Sequence, residues 1–331
     1  MRYLVTGATG LVGSHVLDQL LARGDTVRAL VLEHPEAEKL RQRGVEVWLG
    51  DLTEAVDLSA AVDGMDVVLH CAGMVQLAAP RHHLWAVNVE GTERLLTSSA
   101  HVGVSRFVYV SSVAVYGPMP QPITEDTPKQ PIGAYGESKW AAEQALWRYH
   151  ADHGLPAVVL RPCPIYGPRD QRITRGLVRH GQKWVVPLPR AGRCLLDLVY
   201  VSDVAEAVLA AATRPAAIGQ AYNITDGERH TYRDILCTYE QITGRRPAIL
   251  PVPRRVAVLA IQMRMWWRQA RRVPGDWRGQ VARVRGLDFD AHYSIDAACR
   301  DLEYRPQVGL LEGLRRTLPG ISERRKTSEI Q

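Results

Sequence analysis

No stretch of the chain approaches ~18 uninterrupted apolar residues, so no transmembrane helix is expected. The first residues run directly into an apolar strand and a glycine loop, which leaves no room for a signal peptide. Cysteine is scarce: Cys71, Cys163, Cys194, Cys237 and Cys299 are odd in number and far apart. They offer no metal-type spacing, so no metal site is expected, and they fit reduced thiols in a cytoplasmic protein. Neither charge sign dominates. A net charge of +6 over 331 residues is no footprint of nucleic-acid binding, although it suits an anionic ligand. What is plentiful is apolar: a 46% hydrophobic composition can fill the core of one large domain or of a main domain with a smaller lobe.

Two local patterns carry chemistry. In Ala134-Tyr135-Gly136-Glu137-Ser138-Lys139, the tyrosine and lysine stand four apart, a rise of about 6 Å on one helix face. An ammonium about 4 Å from the phenol, at an effective dielectric near 20, favours the phenolate by roughly 4 kcal/mol. That is about three pKa units, which brings Tyr135 near 7, where a general acid/base works well. Such a pair also occurs on ordinary helix surfaces. The second pattern is at the amino terminus: the apolar run Tyr3-Leu4-Val5, then Gly7, Gly10 and Gly13, then helical spacing over Ser14 to Arg23. Glycines between a strand and a helix allow a tight turn and close approach of a pyrophosphate to backbone N–H groups.

Strands and helices alternate through the first half, which predicts an α/β fold with a doubly wound parallel Rossmann sheet. Strands are expected at Thr26–Leu32, Val45–Leu49, Asp66–His70, Arg106–Val110 and Pro156–Leu160, and helices at Pro35–Gln42, Trp85–His101 and Tyr135–Tyr149. Ligands bind beyond the carboxyl ends of such strands, so Gly7, Asp51, Ala72 and Ser112 should converge. The proline-rich stretch from Pro118 to Pro131 reads as a loop over the site. A smaller mixed α/β lobe, residues 168–318, should follow the dinucleotide-binding part, residues 1–167, with some of its elements returning to the main domain. Its pieces are helices at Ile173–Gln182, Asp203–Thr213 and Thr231–Thr243 and strands at Leu195–Val201 and Ala221–Ile224. Residues 319–331 are charged and expected to be disordered.

Together these motifs resemble the extended short-chain dehydrogenase/reductases over roughly residues 1 to 318. Further matching pieces are Asp51-Leu52, Asn88-Val89-Glu90-Gly91-Thr92, Tyr109 to Gly117, Leu160 to Pro168 and Val199 to Ala207. The resemblance implies a catalytic set of Ser112, Tyr135 and Lys139, with Asn88 ordering a proton path. Ser112 is the serine four before Tyr116, and Ser111 is then structural. For the cofactor it implies Thr6, Gly7, Thr9, Gly10, Leu11, Val12 and Gly13 at the pyrophosphate. Asp51 and Leu52 fall at the adenine, Cys71, Ala72 and Gly73 just after the fourth strand, and Pro162 and Ile165 under the nicotinamide, beside Lys139. Cys71 and Cys163 also read as small packing residues. At the end of the second strand, Glu33 leans to NAD, while Arg28 and His34 keep NADP open.

The same resemblance bears on the reaction. Dehydratases of this superfamily carry an acid pair after the active-site serine or threonine, where this chain has Val113-Ala114. Nucleotide-sugar enzymes place an arginine where this chain has Leu196, although Arg193 stands three residues back. Met74, Val75, Leu77, Met119, Ile165, Val185 and Val186 suggest an apolar pocket, and Met74, Met119, Tyr166 and Val186 are the expected substrate contacts beside Ser112 and Tyr135. Tyr222 to Glu228 is similar to the branch of 3β-hydroxysteroid dehydrogenases and related ketoreductases. The expected function is interconversion of a secondary alcohol and a ketone on a hydrophobic substrate. The alternatives are a nucleotide-sugar epimerase with retained NAD, or a dinucleotide-binding protein without turnover. Relatives also suggest a homodimer. Finally, residues 254–278 hold seven arginines, one acid and several large apolar side chains. This segment reads as a helix packed on the lobe, a lid or subunit contact, or a surface for peripheral membrane contact.

Overall fold

The structure, a computed structural model, describes residues 1–32, 35–54, 57–75, 79–271 and 290–318. Strands β1 (Arg2–Thr6), β2 (Thr26–Val31), β3 (Glu46–Leu49), β4 (Val67–His70), β5 (Arg106–Val110) and β6 (Ala157–Pro162) alternate with helices. These are α1 (Leu11–Ala22), α2 (Pro35–Gln42), α3 (Ser59–Val62), α4 (Arg81–Trp85), α5 (Gly91–Val102) and α6 (Ala134–His153). Beyond them lie β7 (Ile165–Tyr166), α7 (Ile173–Gly181), β8 (Val185–Leu188), β9 (Val199–Tyr200), α8 (Val201–Thr213), β10 (Ala221–Ile224), α9 (Tyr232–Thr243), β11 (Ala248–Pro251), α10 (Arg254–Ala270), α11 (Asp296–Asp301) and α12 (Leu310–Thr317).

Seven parallel strands form the main sheet in the order β10-β6-β5-β4-β1-β2-β3. Continuous valine- and leucine-rich runs suit strands covered on both faces, and β4, β5 and β6 are buried along their whole length. Strand order reverses between β1 and β4, which opens a crevice above their carboxyl ends. One core lies between the sheet and α1 with α8; a second lies between the sheet and α5 with α6.

The second half divides. Strand β10 pairs with β6, Tyr222 opposite Leu160, so it extends the large sheet, and α8 packs beside α1, where Gln19 donates to the Ser202 carbonyl at 3.2 Å. A separate hydrophobic cluster joins Leu177, Val186, Leu188, Tyr200, Ile235, Tyr239 and Leu314 into the smaller lobe. Its α9 starts with a capping box, Thr231 and Asp234 each accepting the other's backbone N–H. Two sequence expectations need correction. Leu195–Val201 is a strand only at Val199–Tyr200, because Val201 already begins α8. The run from Trp85 to His101 is not one uniform helix: a π-helical segment, Ala86–Glu90, separates α4 from α5.

Candidate functional site

At the start of the crevice, Gly7 adopts φ +66°, and a Cβ there would lie 2.7 Å from the Ala72 nitrogen. A Cβ on Gly13 would lie 2.2 Å from the Gly7 carbonyl oxygen, so α1 approaches the loop at a distance only glycine permits. Gly10 donates to the Gly7 carbonyl at 2.8 Å and occupies the N-cap of α1 with no side-chain cap. The first amides of α1 are therefore free to serve an anion, with Thr9 and Gly10 exposed beside half-buried Leu11 and Val12. This cradle fits a dinucleotide pyrophosphate.

Thr6 and Leu52 have a different role from the one expected. Thr6 is buried; its Oγ1 accepts from the Ala72 N–H at 3.2 Å and sits 2.7 Å from His70 Nδ1. Leu52 is packed against Gly91 in the core. Both support the backbone around the glycine loop and the end of β3. His70 Nε2 lies 2.9 Å from the Thr92 hydroxyl, which itself donates to the Asn88 carbonyl at 2.8 Å. Thr92 must therefore accept from His70, so the imidazole carries its proton on Nε2 and accepts from Thr6 on Nδ1. Burial pushes this imidazole down to about 3, which keeps it neutral.

At the end of β3, half-buried Asp51 accepts from the Thr53 N–H at 2.8 Å, closing its own turn. Arg28 is removed as a 2′-phosphate ligand. It points into the sheet's lower half, where it bonds Glu46 at 2.8 Å and the carbonyls of Ala61 and Asp63 at 2.9 Å. Glu33, His34 and Leu77 lie outside the described residues.

Three segments meet at the reacting end. Helix α6 begins after Gly133, and Gly136 lies so close to the Ser112 turn that a Cβ would come within 2.6 Å of the Ala114 carbonyl. Ser112 caps that turn, Val113–Val115, by accepting from the Ala114 N–H at 3.2 Å, and its side chain adjoins the Tyr135 phenol, whose pKa it lowers. Lys139 is buried one turn along. Its Nζ donates to the Val110 carbonyl at 2.9 Å and lies 4.7 Å from the Tyr109 ring centre. Burial lowers this amine to about 8, against the pull of Glu143.

The expected acidic phenol is corrected. Burial raises Tyr135 above its ordinary value, opposed by the nearby Ser112 side chain and the charge of Arg172. The helical spacing is as expected, but the amine is turned to a backbone carbonyl and the ring is desolvated by its neighbours. Tyr135 packs with Met74, Ala79, Leu84 and Ala134 in a small apolar cluster.

Asn88 sits in the π-helical segment, a distortion that often marks functional sites. Its Nδ2 donates to the Met74 carbonyl at 3.0 Å and to Ser138 Oγ at 2.9 Å, and its Oδ1 accepts from the Met74 N–H at 2.7 Å. Ser138 in turn donates to the Tyr135 carbonyl at 2.8 Å. Asn88 therefore clamps the Met74 segment to α6. A Cβ added to Gly73 would meet Lys139 Nζ at 3.0 Å and Asn88 Oδ1 at 3.3 Å, so all three share one corner.

Of the remaining expected residues, Cys71 is half-buried with its thiol pushed up to about 12 by burial, and Pro162 ends β6 inside the core. Ile165 and Met119 are half-buried against the main core. Tyr166 and Val186 are enclosed in the lobe's hydrophobic cluster, packed against residues such as Tyr200 and Leu236, so as side chains they fill the lobe instead of facing a substrate. The loop from Pro118 to Pro131 is pinned to the sheet edge: Ile123 bridges to Tyr293, and Glu125 accepts from the Asn223 N–H at 2.8 Å.

A buried polar network behind the site has no counterpart in the sequence reading. Fully buried Glu143 receives Arg161 Nε and Nη2, the latter at 2.7 Å, together with the Ser111 hydroxyl. Arg161 also donates to the Tyr116 hydroxyl, which donates to Asn223, both at 2.8 Å. The signal was present in outline: Tyr135, Lys139 and Glu143 follow at four-residue steps on one face of α6.

The family model of the NAD dependent epimerase/dehydratase family matches residues 3–225. The chain is 31% identical, over 96% of its length and 90% of the relative's, to a 3 beta-hydroxysteroid dehydrogenase/Delta 5-->4-isomerase of Mycobacterium tuberculosis. It is 29% identical, over 95% of each chain, to a 4-hydroxy-2-methyl-3-oxo-4-farnesyl-3,4-dihydroquinoline-1-oxide ketoreductase of Stigmatella aurantiaca. Its fold is similar to that of a Thermus thermophilus UDP-glucose 4-epimerase solved with NAD, at a TM-score of 0.74 and 28% identity over 97% of this chain and 99% of that one. With its glycine cradle, its reversed strand order and its Ser-Tyr-Lys corner, the chain belongs to the NAD-dependent epimerase/dehydratase family, the extended short-chain dehydrogenases and reductases.

Proposed function

We propose that this enzyme interconverts a secondary alcohol and a ketone on a hydrophobic substrate, with NAD as the preferred dinucleotide. The observation that carries the reading is the corner where Ser112 and Tyr135 adjoin, walled by Met74, Ala79 and Leu84 and backed by buried Lys139. An apolar wall beside one proton-donating pair suits a greasy ketone better than a polyhydroxylated sugar.

When bound, the nicotinamide supplies or accepts the hydride. Gly7, Gly10, Gly13 and the amides opening α1 would hold its pyrophosphate, and Lys139 and Gly73 its nicotinamide end. In the reductive direction, Tyr135 gives its phenolic proton to the substrate oxygen. Its raised pKa keeps that proton in place at neutral pH. Ser112 orients the same oxygen through its hydroxyl. Lys139 sets a positive charge in the same corner, and Asn88 holds the Met74 segment against α6 so that the apolar wall stays in register. Loss of Arg28 as a 2′-phosphate donor supports NAD over NADP.

A second reading, nucleotide-sugar epimerisation with retained NAD, draws on the UDP-glucose 4-epimerase fold relative. Against it, Leu196 is an apolar side chain packed on the lobe core where a diphosphate grip would need donors. Dehydration has no acid at Val113 or Ala114, of which Val113 is buried. The test is a panel of hydrophobic ketones and alcohols with each coenzyme, followed by nicotinamide absorbance. Tyr135→Phe should lose about 10³-fold in turnover with dinucleotide affinity unchanged. Undiminished turnover in that variant removes the assignment, and stoichiometric non-exchanging NAD with UDP-sugar turnover selects the epimerase.

A further inference from the structure

Between Glu240 and Asp276 the sequence holds eight arginines and no lysine or acid. This stretch carries +8 in a chain whose net charge is +6, so the rest of the protein sums to −2. All of the protein's basic excess therefore sits on one segment, which includes β11 and α10.

The same segment turns large apolar side chains to solvent. Val256, Leu259, Met263, Trp266 and Trp267 recur at three- and four-residue steps and so share a face of α10. Leu259 is 55% exposed, Met263 63% and Trp266 70%. Arg255 is exposed beside Val256, and the Arg271 guanidinium lies 3.7 Å over the Trp267 ring. The parallel pair β8–β11 continues the pattern. It buries Val186 and Leu188 toward the lobe and leaves Val185 and Leu250 outward, with Trp184 93% exposed at its start. A globular surface seldom leaves so many large apolar groups wet unless they meet something.

We infer that this basic, tryptophan-bearing ridge docks on an anionic lipid surface. Tryptophan settles at the headgroup level, aliphatic side chains enter the acyl boundary, and arginines meet lipid phosphates and carboxylates. A second copy of the chain fits less well, because a symmetric contact would bring two arginine-rich, acid-free stretches together. Nucleic acid would satisfy the arginines but leave the apolar ridge without a partner. The inference stands apart from the catalytic reading. Under that reading, it would place the lobe against the phase in which a hydrophobic substrate dissolves.

The test is sedimentation of the full-length protein with phosphatidylcholine vesicles, with and without phosphatidylglycerol, in low and high salt. Pelleting is expected only with the anionic vesicles, weakened by salt, with tryptophan emission shifted to the blue. The double variant Leu259→Glu/Trp266→Glu should bind about tenfold more weakly, with melting temperature and dinucleotide affinity unchanged. If that variant folds poorly, Trp184→Glu on the β8 side serves in its place and should also weaken binding. Three results overturn the inference: no pelleting on anionic vesicles, equal pelleting on neutral ones, or wild-type binding by the folded variants. A lipid-free dimer that the double variant dissolves, without any lipid binding, would assign the ridge to self-association instead.

Discussion

Two buried cations lie on either side of one acid, and they are held in opposite ways. Arg161 is clamped by both carboxylate oxygens of Glu143 and by Tyr116, which raises its already high pKa further. Lys139, one turn before Glu143 on the same helix, has among the described residues a single hydrogen-bond partner, a backbone carbonyl, and is depressed to about 8. The difference separates scaffold from site. A planar guanidinium in a bidentate pair is a fixed charge that ties α6 to β6. A desolvated ammonium with one partner keeps donors free and can change its charge near neutral pH.

The largest expected effect comes from breaking the fixed pair. Arg161→Met leaves Glu143 buried without its cation and should cost about 3 to 5 kcal/mol, read by denaturant unfolding. Lys139→Met should do the reverse. The depression of the amine from 10.5 to about 8 means that the folded state binds the proton less well than the unfolded chain. Its protonation therefore costs stability progressively as pH falls from 10.5 to about 8 and in full below that, so removing it should stabilise by roughly 3 kcal/mol at neutral pH while turnover falls. A Lys139→Met protein that melts lower than wild type would place Lys139 with Arg161 as scaffold.

An effect that appears only in acid belongs to His70. Its pKa falls from 6.5 to about 3 on folding, so the unfolded state takes up its proton first as pH drops. Stability should fall on acidification below 6.5, by roughly 1.4 kcal/mol per pH unit from this group. His70→Gln should flatten that slope, which acid titrations of unfolding would reveal.

The two ends of the molecule also differ in how far the sequence discloses them. The glycine cradle and the alternation of strands and helices around it were legible, because a parallel strand, a turn with positive φ and an amphipathic helix each leave a local signature. So was the Tyr135–Lys139 spacing. What sequence distance hides is burial. Tyr135 was expected to be acidic because its lysine was counted as the only influence, whereas the apolar cluster around the ring outweighs it. Tyr166 and Val186 looked like pocket residues because a pocket wall and a lobe core have the same composition. Arg28 looked available for a phosphate, but Glu46 and the carbonyls of α3 and of the turn after it reach it from 18 to 35 residues away. The His70 tautomer and the Glu143 network depend on partners scattered over the chain, and no periodicity predicts them.

The central claim is that Tyr135 holds the transferred proton. It is tested most directly by the pH dependence of kcat/KM in both directions on one ketone/alcohol pair. Because burial keeps the phenol protonated, ketone reduction should be level through neutral pH, whereas alcohol oxidation should climb with pH as the phenolate forms. That climb should vanish in the residual activity of Tyr135→Phe. A climb that persists in Tyr135→Phe would contradict the account, as would a single pH profile shared by both directions.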